Sequence, residues 1–241
     1  MNLDEQFMAA VIEAHNIESS GTEVLPMLLA QACVKVLGVD GAGISIIDGG
    51  LRVPLGASDA VAARAEALQI SLGEGPCLDA MAASEPVVAD ETSMAAQWPM
   101  FHRELVAGTP IRAVASMPLK SAGLRRFGAL DLYASNSEKL QRLSITEVSS
   151  QVADLIAGML FDSPRTVSAY GTVWPSWMNS HSANQRMKVW IAVGILLEYA
   201  GLSNEDALAA LRAYAYGHGA SLDDVADLLT SQRLHPDALF A

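Results

Sequence analysis

The sequence predicts an α+β protein: an antiparallel sheet with helices packed on it, followed by a small three-helix bundle. Three observations lead there. Residues 1–162 alternate apolar stripes at helical spacing with short apolar runs bracketed by Gly, Asp and Pro. Residues 163–181 are polar and broken by Pro164, Gly171 and Pro175, with Trp174 and Trp177 pointing to a linker that is docked and not freely solvated. From Ser182 onward the pattern is purely helical. The expected division is therefore a sheet-bearing domain at 1–162, a linker at 163–181 and a bundle at 182–241.

Leu25–Leu37 carries apolar residues at helical spacing and stops at Gly38. GAGISIIDGG follows, a short apolar run that reads as a strand entering a tight turn, with 52–57 as its hairpin partner. VAARAEALQ reads as a helix and 86–89 as a short strand. Pro99 suits the first turn of a helix, where its missing N–H costs little. Residues 112–119 and 127–133 read as two strands joined by the basic turn KSAGLRR. Helices and hairpin strands in this order give antiparallel α+β packing.

LSITEVSSQVADLIAGML closes the domain as a long helix. Ile145, Val148, Val152, Leu155 and Met159 recur at spacings of three, four, three and four, the pattern of a dimer seam. A helix lying on its own sheet shows nearly the same stripe, so both readings stand. In the tail, Ser203 with Asp206 and Ser221 with Asp224 fit helix caps. Ala207, Ala210, Leu211 and Tyr214 share one helical face, and Leu222, Val225, Ala226 and Leu229 form the next stripe. The first tail helix, RMKVWIAVGILLEYAG, is apolar nearly all round, which places it between the others or in an interface.

The chain is 51% hydrophobic and 17% charged, with a formal net charge of −12. A bilayer span needs ~20 apolar residues. The run 189–197 is closed off by Lys188 and Glu198, so no membrane association is expected. No basic-then-apolar segment opens the chain, and a soluble, cytoplasmic protein is expected. The acidic balance argues against a generally nucleic-acid-binding surface. Cys33 and Cys77 are far apart, with no metal-ligand spacing around either, so no metal site is expected.

No catalytic constellation stands out among the nucleophile, metalloprotease, phosphate-loop and dinucleotide motifs, so no catalytic residue and no enzyme activity are assigned. The local oddity is LGEGPCLDA at 72–80. Gly73 and Gly75 permit an unusual backbone path, and Pro76 suits a helix start. Cys77 then sits near that helix N-terminus, where amides lower a thiol pKa or hold an anion. The plainer reading is a turn that starts a short helix, with Cys77 as a small core residue.

LGEGPCLDA, PVVADE, QWP-x-F, VASMPLK and FGALDLYAS together resemble the GAF sensor domain as it occurs in actinobacterial regulators. The tail resembles an ANTAR domain, whose pattern is matched by Arg186, Val189, Ala192, Gly194 and Leu196. It continues through Ala207, Leu211 and Arg212, then Leu222, Val225 and Ala226. The chain departs from that pattern at Val193, where the family carries lysine, and at Leu208, where it carries an aromatic residue.

The resemblance implies a signal-responsive transcription antitermination regulator. Its bundle would bind tandem RNA hairpins in nascent transcripts as a homodimer, under control of a GAF domain that holds a small-molecule ligand. That ligand, and any cofactor, is unknown. Residues 73–83 facing the sheet, with Gly73, Gly75 and Cys77, are the expected sensor segment. Arg186, Lys188 and Arg212 are the expected phosphate contacts, and Tyr216 and His218 the expected stacking residues. From residue 181 to the end, four Lys/Arg stand against seven Asp/Glu, leaving −3. That imbalance motivates an alternative in which the tail mediates dimerisation or protein–protein interaction and has lost RNA binding. A third reading, resting on Cys77, is a redox enzyme or thiol sensor built on the GAF domain.

Overall fold

Alternation and punctuation in residues 41–134 resolve into one antiparallel sheet of five strands, in the order β2-β1-β5-β4-β3. They are β1 (Gly41–Asp48), β2 (Leu51–Ala57), β3 (Val87–Asp90), β4 (Ala113–Lys120) and β5 (Arg126–Ala134). The computed structural model describes residues 2–17, 24–48, 51–120, 126–167, 173–179 and 181–240. The chain divides into two compact units, Met1–Ser180 and His181–Ala241.

The helices of the first unit begin with α1 (Leu3–Ile17) and α2 (Leu25–Leu37), which pack on each other. α2 also lies on β1 and β2, burying Leu28, Leu29, Ala32 and Cys33, and ends at Gly38 in the left-handed conformation. α3 (Ala60–Leu72) is capped by Asp59, whose carboxylate accepts from the amides of Val61 and Ala62. α4 (Pro76–Ala83), α5 (Glu91–Gln97) and α6 (Pro99–Gly108) come next. Met94, Trp98, Phe101 and Leu105 join Ala62, Ala65, Val114 and Tyr133 in one apolar cluster. α1 escapes the sequence reading because its buried stripe is only Phe7, Ala10 and Val11 among exposed polar residues.

After α7 (Ser137–Gln141), the closing helix is interrupted. α8 (Ile145–Val148) and α9 (Asp154–Phe161) flank a π-helical segment, Ser149–Ala153. A π turn inserts a residue and rotates the helix downstream of it. Up to the insertion the inward positions are the expected Val148 and Val152. Beyond it they are Ala153, Ile156, Ala157 and Leu160, while Leu155 and Met159 are displaced to half-buried flanks. Val148 and Val152 therefore pack inside this chain, and Ile145 is half-buried.

The segment expected to be a linker, 163–181, is structured in its described part. β6 (Arg165–Val167) pairs with β7 (Val173–Pro175), and a 3-10 turn at Ser176–Asn179 comes after them. Trp177 is buried, and its Nε1–H donates to the Leu160 carbonyl at 3.0 Å. A tryptophan that buries its ring and satisfies its N–H anchors this stretch to the first unit.

The second unit holds α10 (His181–Ala200), α11 (Asn204–Gly217) and α12 (Leu222–Thr230). Ser203 caps α11 through the Asp206 amide, and Ser221 with Asp224 forms a reciprocal capping box on α12. α11 buries Ala207, Leu208, Leu211 and Ala215, while Ala210 and Tyr214 are only half-buried. α12 buries Leu222, Val225, Ala226 and Leu229 as its spacing predicts. α10 is not buried all round. Val189, Ala192, Val193 and Leu196 are buried, whereas Trp190, Ile191 and Tyr199 are exposed. Among the described residues no helix is long and apolar enough to cross a membrane.

Candidate functional site

On the face of the sheet that meets α3 and α4, the core is charged. Strand residues two apart share a face, so Asp131 and Tyr133 of β5 point toward α3, and Ser116 of β4 stands directly across from Asp131. Ser45 of β1 and Arg52 of β2 reach the same layer. Glu66 and Gln69, three apart on α3, come down from above. Ser45, Glu66, Gln69, Ser116, Asp131 and Tyr133 are all buried, and Arg52 is 2% exposed.

Arg52 organises the cluster. Its Nε donates to Ser45 Oγ at 2.8 Å, and its Nη2 donates to Glu66 Oε2 at 2.6 Å and to Asp131 Oδ2. The Tyr133 hydroxyl donates to Glu66 Oε1 at 2.5 Å, and Ser116 Oγ donates to Asp131 Oδ1. Gln69 Nε2 donates to Asp131 Oδ2 at 3.2 Å and to the Tyr133 oxygen at 3.1 Å. Among the described residues, Arg52 Nη1 is buried without a partner. Gly43 sits opposite Asp131, where a Cβ would lie 2.2 Å from Glu66 Oε1, so the absent side chain makes room for the carboxyl.

One guanidinium cannot neutralise two carboxylates in a low-dielectric interior. Burial, set against the Arg52 charge and reinforced by Asp131, pushes Glu66 up to about 8. At neutral pH Glu66 keeps its proton, which lowers the negative charge that the Arg52 guanidinium has to offset. The sequence reading missed this site. Its signal was a charged residue inside each of two apolar strands, LRVPLGA and FGALDLYA.

The expected sensor segment lies beside this cluster. Gly73 ends α3 in the left-handed conformation, and Gly75 starts α4 at φ 141° and ψ 165°, a region essentially reserved for glycine. A Cβ on Gly75 would fall 2.6 Å from Gln69 Oε1, and that oxygen accepts the Cys77 amide at 3.1 Å. Glu74 reaches away to accept the Phe101 amide at 2.7 Å. Cys77 is fully buried, and burial, outweighing the Arg52 charge, pushes its thiol well above the usual range. The loop thus brings α4 close to Gln69 and encloses the thiol.

The expected RNA-contacting residues fall on the second unit. Lys188 Nζ pairs with Asp227 Oδ1, and Asp227 Oδ2 also accepts from Arg233 at 2.5 Å. Arg212 is half-buried on α11, and Tyr216 is exposed near its end. His218 is exposed and stacks on Tyr214, with centroids 3.9 Å apart at 18° between planes. The side chain of Arg186 lies outside the described residues. Val193 and Leu208, the two departures from the ANTAR pattern, are both buried. Among the described residues no group of His, Cys, Asp and Glu is placed to hold a metal ion.

The sheet unit, with its helices on both faces, is an α+β domain, and comparison with known families says which. The model described as the GAF domain matches residues 18–160, and the chain belongs to the GAF domain family. Domains of this family are generally sensory or regulatory and typical of signal-sensing regulators. No curated protein matches the sequence.

Several solved structures are similar. The GAF domain of a phosphoenolpyruvate-protein phosphotransferase from Coxiella burnetii is 15% identical with a TM-score of 0.43, covering 64% of this chain and 92% of its own. The A. aeolicus nlh2 GAF domain in an inactive state is 17% identical with a TM-score of 0.42, covering 66% and 98%. A free methionine-R-sulfoxide reductase from Neisseria meningitidis, in complex with its substrate, is 15% identical with a TM-score of 0.43, covering 66% and 88%.

Proposed function

We propose that this protein is a signal-responsive transcription antitermination regulator. In this reading the GAF domain senses a small molecule and controls an ANTAR-type tail that binds tandem RNA hairpins as a homodimer. The observation that carries the reading is the coincidence between the tail motif and the tail core. Val189, Ala192 and Leu196, then Ala207 and Leu211, then Leu222, Val225 and Ala226 are motif positions, and all are buried in the structure. The resemblance therefore rests on residues that shape the unit, with Arg212, Tyr216 and His218 carried on or just beyond the same helix.

The test is binding of the full-length protein to a tandem-hairpin RNA at low salt, with and without candidate signals. Salt-dependent binding that Arg212→Ala weakens severalfold supports the reading, because phosphate contacts dominate such affinity. Absence of binding at low salt under every condition overturns it.

One observation favours the alternative, a tail used for protein interaction. Lys188, an expected phosphate contact, is already engaged by Asp227, and α10 exposes Trp190 and Ile191 side by side. Under that alternative, removing residues 182–241 abolishes self-association or partner binding, and there is no RNA binding to lose.

A further inference from the structure

The interrupted closing helix does more than cover the sheet. Its outer face lines a groove of about 630 Å³ on the first unit, within the size range of small-molecule sites. Ahead of and within the π segment, Thr146, Ser149 and Ser150 line it with hydroxyls. Beyond the π segment come Asp154, then the small pair Ala157 and Gly158, then Phe161 and Asp162. The first four are spaced i, i+3, i+4, i+7 and so share one side of α9, with Asp162 directly after its end. The rest of the lining is Pro86, just before β3, and Lys120, the last residue of β4. π insertions are frequent at functional positions, and of the five residues beyond the π segment Ala157 is buried at the edge of the core while Asp154, Gly158, Phe161 and Asp162 are exposed.

Among the described residues the charges of the groove stand outside the ion pairs. Lys35, Lys139 and Lys188 each pair with a carboxylate elsewhere in the protein. Among the described residues Lys120, Asp154 and Asp162 form no ion pair. Asp154 and Asp162 stand eight residues apart, about 12 Å along the helix axis. Ala157, Gly158 and Phe161 line the groove between them, and a Cβ on Gly158 would meet nothing within 4 Å. Phe161, 54% exposed, adds an aromatic face that attracts both apolar groups and ammonium ions.

A simple anion in this groove would meet two carboxylates, and a simple cation would meet Lys120. A molecule bearing both an ammonium and a carboxylate satisfies both. The volume exceeds what one amino acid fills, and the hydroxyls of Thr146, Ser149 and Ser150 suit amide groups along an extended ligand. We propose that this groove binds a short peptide with free termini. Its ammonium lies against Asp154 or Asp162 and its carboxylate against Lys120. The proposal goes beyond the sensor reading and relies on that reading only in making the peptide a signal. Binding itself requires no RNA.

The experiment screens the full-length protein, without RNA, against di- and tripeptides with free termini that span the twenty side chains, by saturation-transfer NMR. Peptides that bind are then titrated by calorimetry. At least one peptide should bind saturably, and acetylating its amine or amidating its carboxyl should weaken it about tenfold or more. Lys120→Ala and Asp154→Asn should each cost a similar factor, with Lys120→Ala no longer distinguishing the free from the amidated peptide. Gly158→Trp, at a position with open space around it, should block binding while leaving the melting transition in place. Absence of any binder overturns the proposal, as does binding indifferent to Lys120→Ala, Asp154→Asn and Gly158→Trp. Because no RNA is present, either result is separate from success or failure of the RNA-binding reading.

Discussion

Arg52 on β2 and Asp131 on β5 form an ion pair inside the core, with the whole of β1 between their strands. The guanidinium reaches across that strand because Ser45 offers an oxygen on the way and Gly43 leaves space beside Asp131. Both side chains are essentially inaccessible to water. Three strands and α3 are thereby tied to one cation.

Removing that cation should be costly. Arg52→Ala leaves the buried Asp131 carboxylate without its counter-charge, and breaking a buried pair costs about 3–5 kcal/mol. Urea denaturation at neutral pH should show a loss of that order. A loss under about 1 kcal/mol, the value of an exposed pair, would contradict the buried arrangement.

Glu66 gives the fold a pH dependence of unusual sign for a carboxyl. Its folded pKa of about 8 lies above the ordinary value of 4.5, so the folded state binds the proton more tightly than the unfolded chain. The stability tied to that proton is complete below the ordinary value and is lost as pH rises toward about 8. The slope is at most about 1.4 kcal/mol per pH unit. Glu66→Gln, which mimics the protonated form, should flatten this fall, so the variant gains on the wild type as pH rises. Parallel stability curves for the two proteins would refute the assignment.

The thiols should be inert in the native state. Cys33 and Cys77 are both fully buried, and burial pushes both thiols up. A thiol reagent at neutral pH should label neither until the protein unfolds, since the thiolate is the reactive species. Prompt labelling of one equivalent in native buffer would revive Cys77 as a redox sensor.

Gly75 is a position where even alanine should fail. Its backbone lies in a glycine-only region, and a Cβ would press on the Gln69 side chain. Gly75→Ala should lower stability by about 1–3 kcal/mol. The same change should speed thiol labelling of Cys77, because Gln69 holds the Cys77 amide. An unchanged denaturation midpoint would show that the α3–α4 turn is not under this constraint.

Local signals carried much of the architecture. The caps at Ser203 and Ser221, the stripe Leu222, Val225, Ala226 and Leu229, and the hairpin strands flanking residues 121–125 all arise from spacings within a few residues. Such features are legible because the physics that fixes them is itself local. The seam at Ile145, Val148, Val152, Leu155 and Met159 shows the limit. Its spacing is regular in the sequence, but the π insertion at Ser149–Ala153 hands the inward positions after Val152 to other residues. In the stretch after Ser163 the tryptophans signal docking in the sequence, and Trp177 is indeed docked, but without a periodic pattern neither its partner, the Leu160 carbonyl, nor the β6–β7 pairing could be read.

By itself the sequence determined the α+β class, the strands of the five-stranded sheet, the caps of the tail helices and the change to a purely helical pattern near residue 182, but not α1, the π interruption or the β6–β7 pair. Only the tertiary structure decided which charges are buried. Ser45, Arg52, Glu66, Ser116 and Asp131 come from four strands and a helix and become neighbours only when the sheet closes beneath α3. A carboxyl such as Glu66 reads as a solvated helix residue in the sequence. It becomes a proton-holding core group because desolvation and Coulomb interaction depend on distance in space and not along the chain.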